Sequence, residues 1–145
     1  MKLRHACREM LLARIQALRL LRVTLDFDGS VFSTGRMAES VAAGLNKQKK
    51  GKRSCYHLFR TLAQTGQVFD ALPRSGNIHD SNGALEFIPE CVNSIRAACP
   101  GIIMEVRMHS AFFSDKIVTA PDAERIEFTI SQCNMDYVAV RKENM

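Results

Sequence analysis

Long apolar runs are missing from this 145-residue chain. A helix that crosses a bilayer needs about 20 apolar residues in succession, and the runs here are a few residues long, so no membrane span is expected. Cys-x-x-Cys pairs are also missing. The five cysteines (Cys7, Cys55, Cys91, Cys99, Cys133) are odd in number, and their spacings suit neither a zinc site nor a stapled secreted scaffold. Cys91 and Cys99, eight apart in one expected helix, are separated by about 12 Å of rise, too far for a disulfide. Reduced thiols in a cytoplasmic setting are the expectation. The N-terminus has no apolar core of a secretory signal. No Gly-x-Gly-x-x-Gly, phosphate-binding loop or internal repeat occurs, and no Ser-His-Asp or Cys-His arrangement has a supporting context.

The residues that are present describe a globular chain. Hydrophobic residues make up 46% and charged residues 24%, which excludes a disordered tail or a fibrous repeat. The net charge of +5 is unevenly placed. Residues 1–22 carry Lys2, Arg4, Arg8, Arg14, Arg19 and Arg22 against Glu9 alone, and residues 46–53 carry Lys47, Lys49, Lys50, Lys52 and Arg53 with no acid. Each patch is worth +5, so the remainder is acidic at −5. Two basic patches on an acidic body favour a polyanionic partner; a solvated helix face and a solvated loop are the plainer reading.

Periodicity supplies the elements. Leu3, Met10, Leu11, Ile15, Leu18 and Leu21 form a helical stripe over 3–21. Residues 23–28 then alternate, with Val23, Leu25 and Phe27 on one face and Thr24, Asp26 and Asp28 on the other, as in a strand. A turn or bulge is expected at Gly29-Ser30, with a second extended segment at 31–34. The run 46–53 reads as a loop, and 55–62 and 67–72 as a hairpin around Thr65-Gly66, with Tyr56, Phe59 and Phe69 in the core. Asp80, Ser81 or Asn82 can cap a helix that buries Leu85, Ile88, Val92 and Ile95; Pro89 fits that helix badly. Strands are expected at 102–107, 126–130 and 137–140, with a short helix around 112–119. His79-Asp80 suits a loop and cap role.

Two places can carry chemistry. Asp26 and Asp28 share one face near a strand end, where carboxylates are held rigidly in front of open space. Oxygen donors so placed suit Mg²⁺ in phosphoryl transfer; the solvent face of an edge strand is the competing reading. His109 stands just past the strand after the long helix, opposite the first carboxylate, where a second ligand would come from.

Six segments in order carry a resemblance: VTLDFDGSVFST (23–34), GLNKQKKGKR (44–53), SCYH (54–57) with LAQTGQVFD (62–70), RSGNIHDSNG (74–83), VRMHSAFFSDKIV (106–118) and IEFTIS (126–131). Together they resemble the DDE transposases of bacterial insertion sequences, in the group whose core reads LDxDST, GNxHDSNGA and RxDSAFF. The resemblance implies an α/β, RNase-H-like mixed sheet with flanking helices, built from three antiparallel strands and further parallel ones. It implies an N-terminal basic helix over 1–21 and a partial transposase domain over 22–145, incomplete at its C-terminus. It also implies two Mg²⁺ or Mn²⁺ ions held by three acidic residues that cut and join DNA at element ends. The first family Asp falls on Asp28, with Asp26 beside it; the second falls on His109, a nitrogen where Mg²⁺ prefers oxygen; the third, a Glu on a later helix, has no counterpart. Catalytic Asp28 and His109, metal ligands Asp28, His109 and Asp26, and DNA contacts at Lys47, Lys49, Lys50, Lys52 and Arg53 are the expected site. The expected partners are transposon-end DNA and a further copy or a full-length relative. The expected activity is transposition chemistry impaired at the metal site, the alternative being a non-catalytic DNA-binding remnant or regulator.

Overall fold

The computed structural model describes residues 2–34, 41–43, 51–78, 83–109, 126–132 and 135–140. The elements are α1 (Lys2–Ala17), β1 (Arg22–Ser33), β2 (Ala42–Ala43), β3 (Arg53–Leu62), β4 (Gln67–Leu72), α2 (Ala84–Ala98), β5 (Ile103–His109), β6 (Ile126–Gln132) and β7 (Met135–Val140). Among the described residues the strands form one mixed sheet in the order β2-β3-β1-β5-β6-β7, with β4 beside β2 on the outer edge of β3. β1, β3 and β4 pair antiparallel, whereas β1, β5 and β6 pair parallel. This is the RNase-H-like arrangement that the resemblance implies. The expected helix around 112–119, most of the basic loop, and His79-Asp80 lie outside the described residues.

The sheet has one apolar face, and the parallel register explains it. Val23 pairs with Met104, Leu25 with Val106 and Phe27 with Met108, and these meet Ile126, Phe128 and Ile130 on β6. All but Ile126 are buried, and Ile126 packs against the same core. α2 covers this face with Ala84, Phe87, Ile88, Cys91, Val92 and Ile95, and α1 adds Leu11 and Ile15 to the same core. Each fully buried aliphatic or aromatic side chain contributes about 1.5–3 kcal/mol, so the helices are held by packing more than by propensity.

Several expectations change. α1 ends at Ala17 rather than reaching 21, because Arg19 takes a left-handed conformation (φ 49°) that turns the chain into β1. Leu18 and Leu21 are therefore exposed instead of extending the stripe, and Met10 faces outward too. Gly29 makes no turn: β1 runs unbroken through it. A Cβ there would sit 2.1 Å from the Tyr56 hydroxyl, so any side chain at this position has to displace that ring. The N-cap of α2 is Gly83, at φ 75°, with no side-chain capping bond. Pro89 lies inside α2, where it cannot donate to the Leu85 carbonyl; Leu85 is on the exposed side, where the loss costs least. Phe69 is in the core, but Phe59 is on the opposite face, since it pairs with Asp28.

The hairpin has an irregularity with consequences. Arg60 pairs with Asp70, yet the next residue, Thr61, pairs with Val68, so Phe69 is an extra residue in β4. Such a bulge breaks the strict alternation of faces, and Phe69 and Asp70 are both buried.

Candidate functional site

The second face of the sheet is polar, and its side chains are tied together in rows. At the N-terminal end of the parallel strands Arg22 pairs with Glu127. One row on, the Glu105 carboxylate accepts hydrogen bonds from Thr24 Oγ1 (2.8 Å) and Thr129 Oγ1 (2.9 Å). In the next row Asp26 stands opposite Arg107. Arg107 donates from Nε to Oδ1 at 2.5 Å and from Nη2 to Oδ2 at 2.8 Å, a two-pronged pair. The fixed fork of a guanidinium matches both oxygens of one carboxylate.

Asp28 and His109 form the last row. Phe27 and Met108 are register partners on parallel strands, so the residues that follow them, Asp28 and His109, lie on the same face of neighbouring strands; His109 ends β5, whereas Asp28, expected near a strand end, is inside β1, which continues to Ser33. Asp28 and His109 are both half-buried or more open, and His109 is the final residue of β5 rather than a residue beyond it. Strands in a sheet lie about 4.8 Å apart, so an oxygen donor and a nitrogen donor stand side by side at this edge. Ser131 occupies the adjacent register position on β6.

The three expected metal ligands therefore do not share one environment. Both oxygens of Asp26 are engaged by Arg107, which sets Asp26 apart from Asp28 and His109. Among the described residues no three His, Cys, Asp or Glu side chains gather to hold a metal ion. One carboxylate and one imidazole fall short of the oxygen-rich shell that Mg²⁺ requires, and a cationic guanidinium beside them opposes a divalent ion. The described residues do not fit a two-metal centre.

The two basic patches part company. Arg4 and Arg8 of α1 both donate to the Asp70 carboxylate, Arg4 Nε at 2.7 Å and Arg8 Nε at 2.7 Å, and Arg8 also reaches Glu90 at 2.6 Å. Burial alone would raise the Asp70 carboxyl, but the hydrogen bonds from Arg4, Arg8 and the Ala71 amide hold it below its ordinary range. With Arg22 on Glu127, half of the N-terminal basic residues serve the fold. In the other patch Lys52 and Arg53 are exposed where β3 begins, next to the end of β1; Lys47, Lys49 and Lys50 lie outside the described residues.

Two groups carry no mark in the sequence strong enough to predict them. Arg60, on the apolar face, is fully buried with its guanidinium 4.6 Å from the Phe27 ring centroid and 3.5 Å from that of Phe87. Its Nη2 donates to the Phe87 carbonyl at 2.7 Å, and burial lowers its pKa. Nothing in a hairpin sequence marks an arginine as core. The second group is an aromatic cluster on the polar face beyond Asp28: Phe32, His57 and Phe59, with ring centroids 5.2–6.1 Å apart. The alternation of β1 and β3 carries a weak signal for it, since Phe32 shares the parity of Asp28.

No protein-family model and no curated protein sequence matches the chain. Among solved structures it is similar to a piggyBac transposase synaptic complex with hairpin DNA, with a TM-score of 0.48 at 16% identity over 74% of this chain and 23% of that one. It is also similar to the Mos1 mariner paired-end complex with Mn, with a TM-score of 0.46 at 9% identity over 86% of this chain and 40% of that one. The chain thus spans well under half the length of either protein.

Proposed function

We propose that this chain is a transposase-related, DNA-binding domain of the DDE type, of the bacterial insertion-sequence group, whose metal-dependent strand transfer is impaired. The observation that carries the reading is the pair Asp28 and His109, on neighbouring parallel strands and one face of the mixed sheet, at the level where β5 ends. In this reading Asp28 and His109 are the remaining ligands for Mg²⁺ or Mn²⁺, and Mn²⁺ is the better accepted because imidazole suits it better. Asp26 is withheld from the metal by Arg107. Lys47, Lys49, Lys50, Lys52 and Arg53 hold DNA phosphates, without reading sequence. The domain works in the cytoplasm, on element ends, alone or with a full-length relative.

The Asp26–Arg107 pair also favours the second reading, a non-catalytic DNA-binding protein that occupies element ends or joins a full-length relative. Two measurements separate these. Strand cleavage assayed with Mn²⁺ on element-end DNA, for the chain and for His109→Asp, tests the catalytic reading. Cleavage that appears or rises with His109→Asp supports it, and none from either protein favours the binder. DNA affinity measured against salt tests the loop: neutralising the five basic residues reduces the salt slope by about 0.9 for each phosphate that is no longer neutralised. An unchanged slope removes the loop from the DNA surface.

A further inference from the structure

The outer end of the β1–β3 ribbon carries an exposed ring surface with no role in the metal reading. Phe32 is 48% exposed although it is a large apolar residue in a strand. It lies on the face of Asp28 and Ser30, and His57 and Phe59 come to that face from β3 by register. The Phe32 ring is tilted 36° to the His57 ring at 5.2 Å and meets Phe59 edge-on at 5.9 Å. Nδ1 of His57 is shielded and has no hydrogen-bond partner among the described residues. The ring is therefore held by its aromatic neighbours, and the cluster presents a preformed ring surface. Lys52 and Arg53, both exposed, stand at the same end of the ribbon.

We propose that this cluster is a stacking platform for an unpaired base of a nucleic-acid strand, with Lys52 and Arg53 holding the adjoining phosphate. Aromatic faces flanked by cations are how proteins hold single strands: every base has a π-face, and the backbone is polyanionic. Inside a duplex the base faces are stacked on one another, so the platform favours an unpaired strand. From Phe32 back to Asp28 is four residues along β1, about 13 Å, so the platform and the Asp28–His109 edge lie along one path on one face. The inference rests on the nucleic-acid reading above and adds to it the state of the strand.

The test is fluorescence anisotropy of the full chain with a labelled single-stranded DNA and with a blunt duplex of the same sequence. The expected result is tighter binding to the single strand. Phe32→Ala and Phe32→Leu then weaken that binding about tenfold, within the range known for loss of one stacked base. Phe32→Tyr retains it, and none of the three changes duplex binding. Phe32→Leu keeps an apolar side chain at the site, and a urea midpoint confirms that each variant is folded. Single-strand binding unchanged in both Phe32→Ala and Phe32→Leu overturns the platform. A fall of equal size on single strand and duplex overturns it as well. Duplex binding with no preference for the single strand removes the platform and leaves the nucleic-acid reading standing, whereas binding to neither removes both.

Discussion

Arg107 takes both carboxylate oxygens of Asp26, and it does so across a parallel register in which the two residues are direct partners. The pair is about one-third exposed on each side. It therefore adds little stability, about 1 kcal/mol at most, since water and salt screen such pairs. Its larger effect is chemical: both oxygens of the carboxylate two residues from Asp28 are occupied by Arg107.

Removing that cation has a measurable consequence. Arg107→Met is expected to lower stability by no more than about 1 kcal/mol and to tighten Mn²⁺ binding measured by calorimetry. Adding Asp26→Asn to Arg107→Met should abolish the gain. If Arg107→Met leaves Mn²⁺ affinity where it was, the pair is not what withholds Asp26.

Asp70 joins α1 to the hairpin. Its side chain is fully buried while Arg4 and Arg8 remain partly open to solvent. Asp70→Asn leaves two arginines without their acceptor, and a loss of roughly 2–4 kcal/mol is expected, somewhat below the full cost of an uncompensated buried charge. A urea midpoint that shifts without a change in slope would show this.

The same residue sets an acid limit. The folded carboxyl titrates below its ordinary value of 3.8 because Arg4 and Arg8 favour the charged form. A depressed folded pKa contributes stability that is present above the unfolded value and is lost as pH falls through the folded one. Stability should therefore decline below about pH 4, and in Asp70→Asn that part of the decline should be missing. Parallel pH curves for the two proteins would assign the acid limit elsewhere.

Arg60 tests whether a buried cation is needed. Its Nε and Nη1 find no partner among the described residues, and its rings, Phe27 and Phe87, accept an apolar chain equally well. Arg60→Met roughly keeps the volume and removes the desolvated charge, so thermal unfolding should show an unchanged or higher midpoint. Arg60→Ala leaves a cavity and is expected to cost about 2–5 kcal/mol. Equal losses in both variants would show that the charge itself holds the core.

Gly29 tests the close approach of the ring. Gly29→Ala forces the Tyr56 ring aside and should cost about 1–3 kcal/mol. In Tyr56→Ala the same substitution should cost much less, a non-additivity expected of neighbouring residues. An additive result would mean that β1 disfavours a side chain there for another reason.

Most of the strands are legible in the residue pattern alone; β2 at Ala42–Ala43 and the continuity of β1 through Gly29 are not. The period-2 run at Val23, Leu25 and Phe27, with the helical stripe of Ile88, Val92 and Ile95, follows from burial of one face, and that pattern is local. His109 was legible beside a strand end for the same reason, whereas Asp28 is not at one, because β1 runs on past the turn expected at Gly29. Which partners lie across strands, by contrast, depends on the folded chain. The Asp26–Arg107 pair joins residues 81 apart in sequence, and Asp70 meets Arg4 over a separation of 66; neither pairing leaves a periodic trace. A bulge at Phe69 buried Asp70, and Arg60 entered the core between two rings that no hairpin pattern announces. Of the six N-terminal basic residues, which in the sequence pointed outward to a polyanion, Arg4 and Arg8 are turned inward, because the buried Asp70 carboxylate takes them in charge-assisted hydrogen bonds.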